Sequence, residues 1–218
     1  MKKTAAQQEG RTSSSCIARL ALAIAALAVG SSAAHAIVIY NESISGDFSN
    51  TGTTPTVVTG LLSGANEVHG STGNSGSGGD RDYFTFAVPV GLEWTSLIAL
   101  PGMAPGRIAF IGLQAGSLVT LPANTLTADG LLGWHHYNSD DVGSDLLPLM
   151  ATPANGSSGF ATPLGAGNYA IWIQDSSLGQ TVYGLNFQLQ PVPHSGPGLG
   201  FLATLLALPF LRRRAFVR

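Results

Sequence analysis

Acidic and amide side chains form two clusters with the chemistry to bind a divalent cation. The first comprises Asp80 and Asp82, and the second comprises Asn138, Asp140, Asp141 and Asp145. Calcium takes about six to eight oxygen ligands from carboxylates, amides and backbone carbonyls. Neither cluster has the spacing of an EF-hand loop, and Asp and Asn also favour turns. The second cluster is our candidate calcium site, with an ordinary turn as the alternative, and no other cofactor is expected.

Three tryptophans, Trp94, Trp134 and Trp172, offer aromatic rings that can stack on sugars. In a strand, Trp172 lies on the face opposite Ile171 and Ile173, which makes it the tryptophan least committed to the core on their side. We therefore take Trp172 as the candidate for sugar stacking. The alternative is burial, because both faces of a strand can be covered and tryptophans are highly buried on average.

The sequence lacks the motifs of the common catalytic sites. It has no Gly-x-Ser-x-Gly elbow, no His-Glu-x-x-His pair and no phosphate-binding loop, and its single cysteine is Cys16. His135 and His136 are adjacent, and neighbouring side chains of a strand point to opposite faces, so this pair is poorly placed to share a metal. We predict that the protein is not an enzyme.

Apolar residues between Ile37 and Leu189 recur with period two, in short runs separated by Gly, Pro, Asn and Asp. This alternation predicts strands with one core-facing side. The predicted strands span residues 56–59, 66–71, 83–88, 93–100, 107–114, 131–137, 169–174 and 183–189. Many short strands without amphipathic helices favour an all-β fold over residues 37–190, an antiparallel β-sandwich with a jelly roll as the expected arrangement.

Charge is scarce and unevenly distributed along the chain. Charged residues make up 10% of the sequence, against about 25% in typical soluble domains. The predicted sandwich contains only two basic residues, Arg81 and Arg107, beside eleven acidic ones. Nucleic acid is therefore excluded as an expected partner, because binding its phosphates requires a basic face.

Residues 1–36 have the layout of a secretory signal peptide. A polar and basic segment precedes an apolar run of ten residues at 20–29, and Ala34 and Ala36 supply small residues before Ile37. The alternative, a membrane anchor, requires about 20 apolar residues. We predict cleavage between Ala36 and Ile37 by signal peptidase after Sec-type export across the inner membrane.

The C-terminal segment, residues 191–218 together with the preceding Gln190, has three parts. The Pro-rich stretch at 190–197 is predicted to end the last strand and act as a linker, the uncharged stretch at 198–211 is apolar, and the cluster Arg212, Arg213 and Arg214 follows. A helix of this length spans about 21 Å, short of the roughly 30 Å hydrocarbon core. The pattern favours a transient sorting signal with a stop-transfer cluster, and a short membrane anchor is the alternative.

Together these end segments resemble those of PEP-CTERM proteins of Gram-negative bacteria. The family motif is Val-Pro-Glu-Pro, and the corresponding residues of this chain are Val192, Pro193, His194 and Ser195. The resemblance implies processing by an exosortase, a transpeptidase-like membrane enzyme, and an association with exopolysaccharide and biofilm.

Two segments of the central domain are similar to bacterial pre-peptidase C-terminal domains. Residues 80–91 match an Asp-x-Asp-Tyr-Phe strand followed by a Val-Pro-x-Gly turn, and residues 164–169 match a later turn and strand, with Gly165 where that family usually has proline. The resemblance implies a secreted β-sandwich accessory module that binds rather than catalyses.

These observations lead to one functional hypothesis and two alternatives. The leading hypothesis is a non-enzymatic exported protein of the cell surface or extracellular matrix, associated with exopolysaccharide and possessing a C-terminal segment that enters the membrane at least transiently. The first alternative is a lectin-like glycan-binding module, with or without calcium. The second is a secreted hydrolase whose site matches no familiar motif.

Overall fold

The computed structural model describes residues 35–74 and 79–193, which belong to one compact unit that starts at His35. Its strands are β1 (Ile37–Asn41), β2 (Thr56–Val57), β3 (Gly64–Asn74), β4 (Gly79–Val88), β5 (Leu92–Leu100), β6 (Ile108–Ala115), β7 (Gly133–Asn138), β8 (Gly167–Gln174) and β9 (Gly179–Pro191). Two short helices, α1 (Glu42–Ser45) and α2 (Leu146–Ala151), and a 3₁₀ turn at Ser139–Asp141 complete the secondary structure of these residues. The predicted all-β class is confirmed.

The strands form two sheets that face each other. In the first sheet the order is β5-β9-β3, with β1 parallel to β3 on the other side; in the second it is β4-β8-β6-β7, with β2 parallel to β4. All other ladders are antiparallel, and β3 and β4 join the sheets by pairing only at their adjoining ends. This order is that of a jelly roll in which the strand next to β5 is reduced to isolated bridges at Asp145 and Leu164.

The alternating pattern gives the space between the sheets its apolar side chains. Phe86 of β4, Trp94 of β5 and Phe187 of β9 meet there with ring centroids 5.0–5.3 Å apart. All three are almost completely buried. Burying a large apolar side chain contributes about 1.5–3 kcal/mol, so this core is the main source of stability.

A second, smaller apolar layer covers the outer face of the second sheet. Tyr83 of β4 and Trp172 of β8 stack there with ring centroids 5.6 Å apart, and Val119 from the loop between β6 and β7 packs against them. The amide of Val119 donates to the Gly52 carbonyl at 2.8 Å, which holds the loop in place. Side chains on both faces of β4 and β8 are consequently buried.

The predicted linker begins later than the sequence indicated. Gln190 and Pro191 were expected to lie outside the last strand, but β9 extends through Pro191, which pairs with Leu92 at the end of β5. That prediction is wrong because a proline at the last position of a strand removes no donor from the interior of the ladder. In the described ranges, no helix is long and apolar enough to cross a membrane; the apolar stretch at 198–211 lies outside them.

Candidate functional site

Three carboxylates, Glu42, Asp47 and Asp82, come together beside the first sheet, and we call this group the acidic pocket. One carboxylate oxygen from each lies within 4.8 Å of those of the other two. Glu42 and Asp47 also line an open cavity of about 640 Å³, together with residues of β3 and β9. Among the described residues, this is the one group of three or more acidic, histidine or cysteine side chains gathered closely enough to hold a metal ion.

The segment after β1 is folded tightly enough to fix Glu42. Asn41 caps α1 by accepting from the Ser43 amide at 3.0 Å. The Glu42 carboxylate then accepts from the backbone amides of Phe48 at 2.9 Å and Ser71 at 2.5 Å. Because Phe48 is buried and stacks on Phe84 with centroids 4.8 Å apart, this loop is anchored to the core.

Asp82 belongs to a different part of the pocket, since it lies on the core-facing side of β4 in the second sheet. It shares that side with Phe84 and is 0% exposed. Neither of its carboxylate oxygens accepts a hydrogen bond of normal geometry, and the buried hydroxyls of Tyr137 and Tyr183 also lack such a partner. Buried polar groups are nearly always hydrogen-bonded, so these three side chains form an unusual polar centre inside an apolar core.

The electrostatics of the pocket favour neutral carboxyl groups in the protein alone. Burial raises the pKa of Asp82 to about 9; the nearby Glu42 adds to this, and the Tyr183 hydroxyl opposes it. Burial also raises the pKa of Glu42 to about 7, against the hydrogen bonds from Phe48 and Ser71. Clustered carboxylates out of water repel one another and lose hydration, and both effects raise their pKa values. A nearby positive charge would oppose both effects.

No basic side chain of the described residues neutralises the acidic pocket. Arg81 and Arg107 are the only lysines or arginines within those ranges. Arg81 donates to the Gln174 side chain at 3.1 Å, and Arg107 pairs with Asp175 at 3.1 Å. His69 lines the cavity, but its Nε2 atom lies 3.1 Å from the Glu67 carboxylate.

A second feature is an aromatic cleft on the outer face of the second sheet, formed by Phe110, Trp134, His136 and Trp172. The ring of Phe110 is central, with centroids 6.0 Å from Trp134, 5.8 Å from His136 and 4.8 Å from Trp172. Gly112 lies between Trp134 and Trp172 of the two neighbouring strands. Its missing side chain leaves space for the Phe110 ring, which would lie 2.9 Å from a Cβ atom there. Loop residues close the cleft around a cavity of about 280 Å³.

The cleft corrects the sugar-stacking prediction made for Trp172. This residue is only 3% exposed because Val119 and the loop around it cover the outer face of β8, so it has no free ring face. Trp94 is 0% exposed in the main core. Trp134 is half-buried and lines the cavity, and its Nε1–H donates to the Ala154 carbonyl at 3.0 Å. Trp134 is therefore the tryptophan with an accessible ring.

The predicted calcium cluster of residues 138–145 serves as a set of caps. Asn138 and Asp141 form a capping box at the 3₁₀ turn, and Asp145 accepts from the amides of Leu97 at 2.8 Å and Leu147 at 3.0 Å. Asp140 is exposed. The carboxylates of Asp140, Asp141 and Asp145 do not converge as the three carboxylates of the acidic pocket do.

Other predicted residues have simpler outcomes. Asp80 lies near the acidic pocket, where burial and Asp47 raise its pKa. His135 and His136 lie on opposite faces of β7, opposite Ile111 and Phe110 respectively. The cleavage residue Ala34, the motif residues His194 and Ser195, and the stop-transfer cluster Arg212, Arg213 and Arg214 lie outside the described residues.

Sequence reasoning grouped Asp82 with Asp80 as a possible cation cluster but did not connect it with Glu42 and Asp47, although one signal of the acidic pocket was present. Asp82 occupies a core-facing position in the alternation that buries Phe84, and a charged residue there is anomalous. Glu42 and Asp47 carry no comparable signal, because contacts distant in sequence bring them near β4. β1 pairs with β3, and the residues that follow Asp47 contact β4 directly, through the Phe48–Phe84 stack and the Ser49–Tyr83 bridge. No protein-family model, curated protein or solved structure matches this chain.

Proposed function

We propose that this chain is an exported, non-enzymatic β-sandwich protein of the cell surface or extracellular matrix that binds polysaccharide through the aromatic cleft. The observation that carries the proposal is the accessible ring of Trp134 in a cavity of about 280 Å³. Sugar rings stack their C–H faces on aromatic side chains, which provide apolar area in a fixed orientation. Its hydrogen bond to Ala154 holds the Trp134 ring in place, so little conformational freedom is lost on binding.

Polar groups around the cleft can orient a sugar. Gln174, Asn155 and His136 line the cavity and supply donors and acceptors at its rim. A mostly apolar cleft with a few polar groups is typical of small-ligand sites.

The lining of the cleft favours binding over hydrolysis. Most glycoside hydrolases need two carboxyl groups flanking the scissile bond, and no Asp or Glu is among the described residues that line this cavity. Asp82 pairs with Ile173 on the opposite, core-facing side of the same sheet, so it does not face the cleft. These features support the non-enzymatic interpretation over the hydrolase alternative.

A binding assay tests the role of the cleft. We expect the purified full chain to bind at least one member of a panel of neutral and acidic polysaccharides in affinity electrophoresis. Trp134→Ala should weaken that binding at least fivefold, because truncation removes the stacking surface. Trp134→Phe, which keeps a ring, and Val90→Ala, which changes a side chain 95% exposed in the β4–β5 turn, should stay within twofold. Wild-type binding by Trp134→Ala would contradict the proposal. Release of reducing sugar by the wild type would also contradict it.

Export is tested separately by intact-mass analysis of the protein recovered from its host. The proposal predicts a chain that begins at Ile37 and ends near Pro193, released from or attached to the cell surface by an exosortase-like enzyme. Retention of residues 1–36 would argue against export. Retention of 198–218 with normal export would replace sorting with a membrane anchor.

A further inference from the structure

The acidic pocket points to a second activity that is independent of polysaccharide binding. We propose that Glu42, Asp47 and Asp82 bind one divalent cation, with calcium as the preferred ion. Carboxylate oxygen is the ligand that hard divalent cations select. The pocket offers three carboxylates from two separate parts of the chain.

The spacing of the oxygens fits calcium. Ligands of one calcium ion lie at about 2.3–2.6 Å from it, so two of them can be separated by at most about 4.6–5.2 Å. The three carboxylate oxygens of the pocket lie within 4.8 Å of one another, which lets a single ion reach all three. Magnesium demands near-ideal octahedral geometry and keeps several of its waters, so a site with three carboxylates suits calcium better.

The second, independent observation is the buried and unpartnered carboxylate of Asp82. It is 0% exposed, neither of its oxygens has a hydrogen bond of normal geometry, although the Tyr183 hydroxyl interacts with it, and one of the oxygens belongs to the group that converges in the pocket. A buried carboxylate without a partner is strongly disfavoured. A bound cation supplies the missing partner and removes the repulsion among the three carboxylates.

The surroundings can complete a calcium coordination shell. Three carboxylates provide three to six oxygens, depending on whether each binds through one oxygen or two, and calcium takes about six to eight. Asp47 is exposed and the adjoining cavity of about 640 Å³ is open, so water can supply the remaining ligands. The amides of Phe48 and Ser71 already orient Glu42, a support that metal-binding carboxylates commonly have.

Such an ion would tie the start of the domain to its centre. Glu42 is the first residue of α1, which follows β1 in the sequence, and Asp47 comes shortly after the end of α1. Asp82 lies within β4. Ion binding would thus bridge the β1–α1 segment to the second sheet. Binding of the ion to this folded arrangement would stabilise the domain.

The test is calcium binding by the purified full chain after treatment with a chelator. We expect added calcium chloride to raise the melting temperature by about 5–10 °C at 100 times its dissociation constant, with one ion bound per chain by titration calorimetry. Magnesium chloride at the same concentration should give less than half that rise. No calcium response, or an equal response to magnesium, would overturn the proposal or its choice of ion, respectively.

Variants locate the ion. Asp47→Asn changes an exposed side chain and should fold normally, yet weaken calcium binding at least tenfold; Asp82→Asn should abolish the rise in melting temperature. Asp140→Asn is the matched control, since Asp140 is an exposed aspartate of the 3₁₀ turn, and it should respond like the wild type. A wild-type response in Asp47→Asn and Asp82→Asn would place the ion elsewhere and overturn the proposal, as would a lost response in Asp140→Asn.

Discussion

Two carboxylates of this protein are almost equally buried, Asp82 in the acidic pocket and Asp175 at the end of β8, but their surroundings differ. Asp175 is 3% exposed and accepts from the Thr181 hydroxyl at 2.6 Å and the Ser177 amide at 2.7 Å. The Arg107 guanidinium lies 3.1 Å away and completes its shell. Asp82 is 0% exposed and has no hydrogen bond of normal geometry.

The comparison distinguishes a carboxylate whose partners within the chain stabilise it from one whose burial is not compensated in this way. Burial would raise the pKa of Asp175, but Thr181, Ser177 and Arg107 outweigh it and hold the pKa below its ordinary value. The pKa of Asp82 is raised to about 9 because burial is hardly opposed. The chain thus supplies donors where a carboxylate has a structural role, and their lack at Asp82 supports an external partner.

The largest effect should come from breaking the Arg107–Asp175 pair. Arg107→Met leaves Asp175 buried without its cation, which destabilises proteins by about 3–5 kcal/mol. It also removes the hydrogen bonds that Arg107 donates to Thr181, Leu178 and Gly179. Urea unfolding at pH 7 should show a loss of this size. The matched control is Arg81→Met, which removes only the hydrogen bond to Gln174 and should lose about 1 kcal/mol. Equal losses in the two variants would mean that the ion pair contributes nothing special.

A smaller effect of opposite sign is expected at Asp82. In the chelated protein, Asp82→Asn replaces a buried carboxylate by a neutral group of the same shape. We expect the free energy of unfolding at pH 7 to rise by about 1–3 kcal/mol, because the amide removes the cost of protonating a carboxyl group whose pKa burial raises to about 9. Asp140→Asn should change it by less than about 0.5 kcal/mol. A clear loss of stability in Asp82→Asn would show that the carboxylate already has a partner within the chain.

The smallest effect is the pH dependence of the contribution from Asp175. Its pKa is lower in the folded state than in the unfolded chain, so its stabilisation is present above the unfolded value of 3.8 and is lost as the pH falls through the folded value. We expect the stability difference between wild type and Asp175→Asn to be constant from pH 5 to 7 and to shrink below about pH 4. Denaturant titrations at several pH values measure it. A difference that grows on acidification would contradict the lowered pKa.

The sequence allowed the fold to be predicted because its signals are local. Alternation within β4, β8 and β9 marks each strand without knowledge of its neighbours. The sites depend instead on contacts between distant segments. The alternation in β8 predicts a Trp172 ring free to stack on sugar, but the loop that carries Val119 covers it. The aspartates of residues 138–145 appeared to be ligands, whereas their side chains mostly cap turns and a helix, which short polar residues do at least as often.

The position of β9 has a consequence for how the chain folds. This strand is the last one described, yet it lies between β3 and β5 and pairs with both along most of its length. Before β9 pairs with them, β3 and β5 have no common neighbouring strand, and their unpaired edges can pair with other chains. Folding of the first sheet must therefore follow synthesis of nearly the whole domain, and a truncation before Gly179 would leave an aggregation-prone fragment rather than a smaller sandwich.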